Sequence, residues 1–161
     1  MSLLFIDLET YSEVDLRKSN VYRYAEDPSF QILMAAWATE DDAMLGRVHV
    51  AIGHDEIKRI PGLFQKSVTK VAHNAQFERV CLSKLAGLRP GVYLNPADYD
   101  DTQALAGEWG YPQRLGDLAV ALGAEEKDEA GPRLINIFSK PNRKGERVLP
   151  EDKPEDWAAF V

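Results

Sequence analysis

The stretch that most constrains the fold is LLFIDLET, residues 3 to 10. Four consecutive apolar residues are typical of a buried strand, and Asp7 and Glu9 follow them one residue apart. In a strand, residues i and i+2 point to the same face, so both carboxylates can share one face where the strand ends. Two close carboxylates repel unless a cation lies between them, and such oxygen ligands suit Mg²⁺ or Mn²⁺. The stretch predicts a buried strand ending in a candidate metal site, with a solvated strand end before a turn as the alternative.

Two more apolar stretches predict that this strand belongs to a sheet. ILMAAWAT (32–39) is a second apolar run, and GRVHVAI (46–52) alternates with a period of two. Because EDDAML between them suits a turn, the three strands are expected to form an antiparallel meander. KVAHN (70–74) is predicted as a short fourth strand.

Helical spacing dominates the rest of the chain. Phe77, Val80, Cys81 and Leu85 fall on one helical face, and Gly87 is placed to end that helix. Further helices are predicted within residues 101–110, 115–122 and 134–138, with a polar, proline-rich loop at 139–154. The pattern predicts an α/β fold, a mixed sheet flanked by helices, in one domain over residues 1–161.

Composition narrows the function. The chain has 161 residues, of which 45% are hydrophobic, which fits one folded domain. The single cysteine, Cys81, excludes a disulfide within the chain. No apolar stretch approaches the ~20 residues that cross a bilayer, so we expect a cytoplasmic protein without a membrane partner. The formal charge of −7 is unlike that of proteins that grip duplex DNA by its phosphates. A nucleic-acid role would therefore depend on metal ions or a local basic patch.

A second group of candidate residues lies in HNAQFE, residues 73 to 78. If a helix begins near Asn74, then Asn74 and Glu78 share a face at i, i+4, with Phe77 beside them. Taken singly, Asn74 is an ordinary helix N-cap, Phe77 a core residue and Glu78 a surface acid. The combination with FIDLET is more specific than any of these residues alone.

FIDLET and HNAQFE together resemble the first two motifs of the DEDD proofreading exonucleases. The resemblance extends, in the same order, to the N-terminal 3′–5′ exonuclease domain of phage-type family A DNA polymerases, through VYRYAEDPSFQIL, VAHNAQFERVCL, DTQALAGEWGYPQRLGDLAVALG and LINIFSKP. It covers nearly the whole chain. It implies a ribonuclease H-like fold and the removal of 3′-terminal nucleotides from DNA as 5′-monophosphates, with two Mg²⁺ or Mn²⁺ ions.

The resemblance assigns metal-binding and catalytic roles to three acids. Asp7 would bridge both ions, and Glu9 would hold the first ion and approach the terminal 3′-hydroxyl. Glu78 stands where the family's second motif usually has Asp. Its extra methylene leaves both direct and water-mediated ligation open.

The resemblance also implies the substrate contacts and the partners. Asn74 and Phe77 would support the terminal nucleotide, Phe77 by packing on a sugar or base. Leu8 and Thr10 would present backbone or hydroxyl groups to it. The expected partners are a single-stranded 3′ end of DNA and a polymerase domain downstream in the full-length protein.

The family's third motif, Y-x-x-x-D, lies near the C-terminus of its domain, and no such motif follows HNAQFE in this sequence. It supplies the fourth metal carboxylate and a tyrosine that orients water. The positions four residues after Tyr93, Tyr99 and Tyr111 hold Ala97, Gln103 and Leu115. PEDWAAFV (154–161) begins like a helix but ends after about two turns, and an isolated helix that short is marginal. We therefore expect a fragment with an incomplete C-terminal helix, which retains three of the four carboxylates and turns over weakly.

Other interpretations concern residues outside the two motifs. Asp98, Asp100 or Asp101 could replace the fourth acid, or Asp101 could cap the helix that follows it. His73, beside the second motif, is a candidate general base. A group of basic residues could contact DNA phosphates or a polymerase domain, or form a solvated loop: Arg133, Lys140, Arg143, Lys144 and Arg147.

Two alternative functions follow. The chain could be a catalytically inactive exonuclease-fold module that binds DNA or a polymerase partner. DLET could also be a degraded D-x-D-x-T phosphatase motif, in which Glu9 replaces the second acid. An in-frame Y-x-x-x-D shortly after Val161 would favour the polymerase fragment over the first alternative.

Overall fold

In the computed structural model, one mixed sheet forms the centre of the protein, with the strand order β3-β2-β1-β4-β5. The structure describes residues 2–124, 131–142 and 145–161. The strands are β1 (Ser2–Tyr11), β2 (Gln31–Thr39), β3 (His49–Ile52), β4 (Val68–Ala72) and β5 (Tyr99–Asp101). β1 pairs antiparallel with β2, and β2 pairs antiparallel with β3, which confirms the predicted meander.

Helices flank this sheet, as predicted. They are α1 (Val21–Glu26), α2 (Glu40–Met44), α3 (Gly53–Lys58), α4 (Ala75–Leu85), α5 (Thr102–Glu108), α6 (Leu115–Ala121), α7 (Gly131–Phe138) and α8 (Pro154–Phe160). Two short 3₁₀ segments lie at Pro96–Asp98 and Pro150–Asp152. None of the helices in the described residues is long and apolar enough to cross a bilayer.

β1 is paired on both sides, but for different lengths. Its antiparallel pairing with β2 continues to Tyr11, with a register shift between Glu9 and Thr10. Its parallel pairing with β4 ends at Phe5, opposite Val71. The two acids therefore lie within the strand, and the prediction that they stand at its end is wrong, because β2 holds the chain extended beyond them.

The predicted helix after β4 is confirmed. Val80, Cys81 and Leu85 are buried against the sheet, in the same cluster as Leu8. Gly87 follows the helix with φ of 74°, a left-handed conformation that favours glycine at a helix end.

Two local predictions are corrected, and one strand was missed. EDDAML is a short helix, α2, rather than a turn, because Thr39 and Asp42 form a reciprocal capping box at its start. The fourth strand is displaced toward the N-terminus, to Val68–Ala72, and residues 73 and 74 lead into α4. β5 was not predicted, since three residues are too few for a periodic pattern.

A second apolar cluster joins the C-terminal helices to the sheet. Tyr11 of β1, Leu33 of β2 and Phe138 of α7 form its buried centre. Trp157 and Phe160 of α8 pack on Phe138, with ring centroids 5.1 Å and 5.3 Å away. Both aromatic residues of α8 therefore face this second cluster, in which they are partly buried.

Phe138→Ala should destabilise the protein, because this ring is only 1% exposed and contacts both aromatic residues of α8. Truncating a buried phenylalanine typically lowers the free energy of unfolding by about 3–5 kcal/mol. Urea denaturation of the wild type and the variant would measure this loss. Phe64→Ala is the matched control, since Phe64 is 39% exposed, and it should cost less than about 1 kcal/mol. Equal losses for the two variants would contradict the assignment of Phe138 to a structural core.

Candidate functional site

The predicted site residues of β1 alternate between two faces of the strand. Asp7 is exposed and Glu9 half-buried on one face. Leu8 and Thr10, on the other face, are 5% and 4% exposed. The shared face predicted for the two acids is therefore present, but the two residues expected to contact a nucleotide have largely buried side chains.

α4 brings the third acid, Glu78, within electrostatic reach of these two. Glu78 lies one helical turn into α4 and is only 3% exposed, so the interpretation as an ordinary surface acid is wrong. Its Oε2 atom is buried and has no hydrogen-bond partner among the described residues. Burial is the main cause that raises the pKa of Glu78 to about 8, and the negative charges of Asp7, Asp101 and Glu9 contribute to the same shift.

The unpaired oxygen of Glu78 is the observation that fits a cation. A buried carboxylate without a partner is costly, and an ion between it and the acids of β1 would remove that cost. Carboxylate oxygens are also the ligands that Mg²⁺ and Mn²⁺ prefer. Within residues 2–124, 131–142 and 145–161, however, no three His, Cys, Asp or Glu side chains are grouped closely enough to hold an ion. The three carboxylates are of the kind that binds a divalent metal, but in this structure they are not grouped closely enough to hold one together.

Asn74 is not the conventional N-cap that the sequence predicts. Its φ and ψ of 70° and 51° are left-handed, and its side chain makes no capping hydrogen bond. It is the sole residue other than glycine with positive φ in the described part of the chain, and such a conformation is uncommon. The Asn74 side chain is exposed at the start of α4, one turn before Glu78.

A cleft of about 460 Å³ opens beside Glu9. Phe77 of α4 and Tyr24 of α1 form part of its wall, with ring centroids 6.1 Å apart. The Thr10 hydroxyl hydrogen-bonds the Tyr24 phenol at 2.9 Å, so that hydroxyl already has a protein partner. On the remaining sides, the cleft is lined by Leu8, Ser12, Glu13, Val14, Asp15, Leu16, Arg17, Ile135, Ser139, Lys140 and Pro141.

Two contributors to this region were missed by sequence reasoning. Tyr24 supports Thr10 from a helix that no periodic pattern indicated, since α1 has only six residues. Ser139 and Lys140 reach the cleft from the end of α7, about 130 residues after the acids of β1. The sequence signal for this segment was LINIFSKP (134–141), which resembles the exonuclease family. The resemblance did not indicate that the segment lines a cleft beside Glu9.

The three acids of DYDDT (98–102), which are Asp98, Asp100 and Asp101, occupy different positions around β5. Asp101 ends the strand, beside the start of α4, and its carboxylate accepts a hydrogen bond from the Gln103 amide at 2.9 Å. The capping interpretation of Asp101 is therefore confirmed. Asp98 lies in the 3₁₀ segment before β5, and Asp100 is exposed.

His73 has a partner for each ring nitrogen. Nδ1 lies 3.1 Å from Thr102 Oγ1, and Nε2 lies 2.8 Å from the backbone oxygen of Gln113. These contacts connect the residue after β4 to α5 and to the loop before α6. They favour a structural role over that of a general base.

The late basic residues are engaged within the protein where the structure describes them. Arg133 pairs with Asp156 at 2.8 Å. Arg147 donates to Gln31 at 2.6 Å and lies over the ring of Tyr11. Lys140 donates to Asn136 at 2.8 Å and lines the cleft, which makes it the cation of this group nearest to the candidate site. Arg143 and Lys144 lie outside the described residues.

Comparisons with known proteins agree with the resemblance. The chain is 40% identical to a DNA polymerase of Bacillus phage SP02 over 169 aligned positions, which cover 99% of this chain and 25% of the polymerase. The structure is similar to Brucella melitensis NrnC, with a TM-score of 0.50 and 16% identity over 99% of this chain and 66% of NrnC. No protein-family profile matches the chain. The resemblance to a phage DNA polymerase and the ribonuclease H-like fold are thereby confirmed.

The raised pKa of Glu78 gives a testable dependence of stability on pH in the absence of divalent metal. The folded protein retains the proton up to about pH 8, whereas the unfolded chain releases it near the ordinary glutamate pKa of 4.5. The unfolded state therefore binds fewer protons across this window, and the free energy of unfolding should fall as the pH rises from 5 to 8.

Urea unfolding in EDTA at pH 5, 6, 7 and 8 measures this dependence. Glu78→Gln should flatten the curve, because the amide does not titrate. Glu108→Gln is the matched control at an exposed helix position, and it should keep the wild-type slope. A Glu78→Gln curve parallel to that of the wild type would contradict the buried, protonated state of Glu78.

Proposed function

We propose that this chain is the 3′–5′ exonuclease domain of a DNA polymerase, and that it removes 3′-terminal nucleotides from single-stranded DNA ends as 5′-monophosphates. The observation that carries the proposal is the buried, unpaired Glu78 carboxyl in the field of Asp7 and Glu9. The identity with a phage DNA polymerase over nearly the whole chain supports it. The same identity favours the exonuclease over the phosphatase interpretation of Asp7.

Asp7, Glu9 and Glu78 are the residues that would hold divalent metal, Mg²⁺ or Mn²⁺, in the proposed site. Two such ions supply an activated water and stabilise the charge on the leaving oxygen. Because the described side chains are too far apart to form a three-ligand group, binding requires the carboxylates to move toward one another. Charge repulsion opposes that movement until a cation is present.

The cleft beside Glu9 is the proposed position of the terminal nucleotide. Phe77 offers an aromatic, half-buried wall on which a sugar or base can pack. Asn74, exposed one turn before Glu78, would hydrogen-bond the nucleotide. The backbone of Leu8 and Thr10 would approach it from β1. Lys140 would offer positive charge in the lining of the cleft, whereas Arg17 is paired there with Asp15 at 3.2 Å.

The chain spans 25% of the length of the matched polymerase. We therefore also propose that residues 1–161 form one exonuclease domain, that a polymerase domain lies downstream of it, and that the protein is cytoplasmic. In this arrangement the domain would receive the 3′ end of a strand from the polymerase.

A second candidate is an exonuclease-fold module that binds DNA without hydrolysing it. The absence of a three-ligand group in the described residues favours this alternative. It predicts affinity for single-stranded DNA but no shortening of the strand. A turnover assay therefore distinguishes the two functions, whereas a DNA-binding assay does not.

The first experiment is a time course with a single-stranded DNA labelled at its 5′ end, in Mn²⁺ or Mg²⁺. The proposal expects stepwise 3′ shortening that EDTA abolishes and that Asp7→Ala reduces at least about 100-fold. Asp55→Ala, at an exposed position of α3, is the control and should retain wild-type turnover. No shortening by a folded chain that binds the DNA would favour the inactive module, whereas shortening that survives Asp7→Ala would defeat the proposed site.

Phe77→Leu should weaken binding of a single-stranded oligonucleotide while largely preserving apolar packing. Stacking on an aromatic side chain contributes about 1–3 kcal/mol per base, so the Kd should rise about 5- to 150-fold. Fluorescence anisotropy in EDTA measures binding without degradation of the DNA. Phe64→Leu, at an exposed position outside the cleft, is the matched control and should leave the Kd unchanged. An unchanged Kd for Phe77→Leu would remove this residue from the nucleotide site.

A further inference from the structure

Two turns from strand to helix lie side by side next to Glu78. β4 and β5 are parallel, and their last residues, Ala72 and Asp101, are paired. Each strand leads directly into a helix: β4 into α4, which carries Glu78, and β5 into α5. The N-termini of both helices therefore point to the same edge of the sheet.

One carboxylate serves both helix starts. Oδ1 of Asp101 accepts hydrogen bonds from the amides of Asn74 and Gln103, both at 2.9 Å. Oδ2 of Asp101 accepts from the amide of Ala75 at 3.1 Å. The first amides of a helix have no partner within the helix, and a negative charge is favourable at this end. Asp101 is thus the N-cap residue of α5, and from the neighbouring strand it also caps the start of α4.

This external cap compensates for the unusual conformation of Asn74. Because Asn74 is left-handed, its side chain does not cap α4 in the ordinary way. The Asp101 carboxylate instead binds the amides of Asn74 and Ala75. It thereby fixes the residue at which α4 begins, and with it the position of Glu78 one turn later.

We infer that Asp101 is a positioning residue of the proposed metal site, which holds the left-handed Asn74 and the start of α4 so that Glu78 faces the acids of β1. This inference rests on the proposed function. Partners of this kind commonly change metal affinity 10- to 100-fold without contacting the metal, because they orient the groups that do. Two further contacts strengthen the same junction, since His73 and Ala72 both lie within hydrogen-bond distance of the Thr102 hydroxyl.

The test measures the affinity of the whole chain for Mn²⁺ alone, from the electron paramagnetic resonance signal of the free ion. Asp101→Ala should raise the Kd about tenfold or more. Asp101→Asn removes the charge but keeps one acceptor oxygen, so its Kd should lie closer to that of the wild type. Asp100→Ala removes the same charge from an exposed neighbouring position, and it should leave the Kd within about twofold.

Amide hydrogen exchange separates positioning from general destabilisation. In Asp101→Ala, the amides of Asn74, Ala75 and Gln103 should exchange faster, while those in the centre of β1 and β2 keep wild-type protection. A tenfold loss of Mn²⁺ affinity in a chain with this pattern supports the inference. Loss of protection throughout the sheet would reduce Asp101 to a residue needed for folding, and would overturn its specific role.

Glu78→Gln distinguishes failure of the inference from failure of the proposed function. If the wild-type chain binds no Mn²⁺, or if Glu78→Gln binds it equally well, the proposed metal site is wrong and the role of Asp101 falls with it. If binding depends on Glu78 but Asp101→Ala keeps wild-type affinity, the inference alone is overturned.

Discussion

The early end of the pairing between β1 and β4 is the constraint on which the candidate site depends. β1 needs two neighbours to be buried at the centre of a sheet, yet a second neighbour alongside its acids would occupy the edge at which α4 begins. The parallel ladder ends at Phe5, whereas the antiparallel ladder with β2 continues to Tyr11. β1 is thus held rigidly on one side while its acids remain accessible on the other. The chain that leaves β4 turns into α4 in this space and brings Glu78 with it.

Burial of a third carboxyl group beside two others is unfavourable for the folded state unless something neutralises it. Without metal, the protein satisfies this requirement with a proton, as the raised pKa of Glu78 indicates. A divalent cation could replace the proton, and it would then compete with it at the same oxygens. The unpaired Oε2 of Glu78 consequently destabilises the metal-free fold, whereas in the proposed site it would bind the metal. Such locally unfavourable groups are more common at functional sites than in ordinary cores.

Much of the sheet could be predicted from the sequence, because long apolar runs and alternating patterns depend on burial alone. β1, β2 and α4 have such patterns, and the structure contains all three. α1 and β5 have six and three residues, which is too short for a period to be read. α2 was predicted as a turn because its polar residues suit a turn equally well, and its capping box of Thr39 and Asp42 was found only in the structure.

The candidate site was predictable in its members but not in its environment. The motifs identified Asp7, Glu9 and Glu78, but whether an acid is exposed or buried depends on the packing of distant segments. Glu78 is 3% exposed, although Gln76 and Arg79, within two residues of it, are polar. The contribution of α7 to the cleft has the same origin, since no local pattern reports a contact between residues so far apart in the chain.

The Asp101 junction shows why the site cannot be understood from the cleft alone. Asp101 does not line that cleft, yet it binds the two amides at the start of the helix that carries Glu78. A rearrangement of α5 would move this carboxylate, and the start of α4 would lose the partner that its left-handed Asn74 does not supply. His73 extends the connection to Gln113, in the loop before α6. The geometry of the acids therefore depends on a segment 27 to 40 residues further along the chain, which couples the stability of α5 and of that loop to the orientation of Glu78.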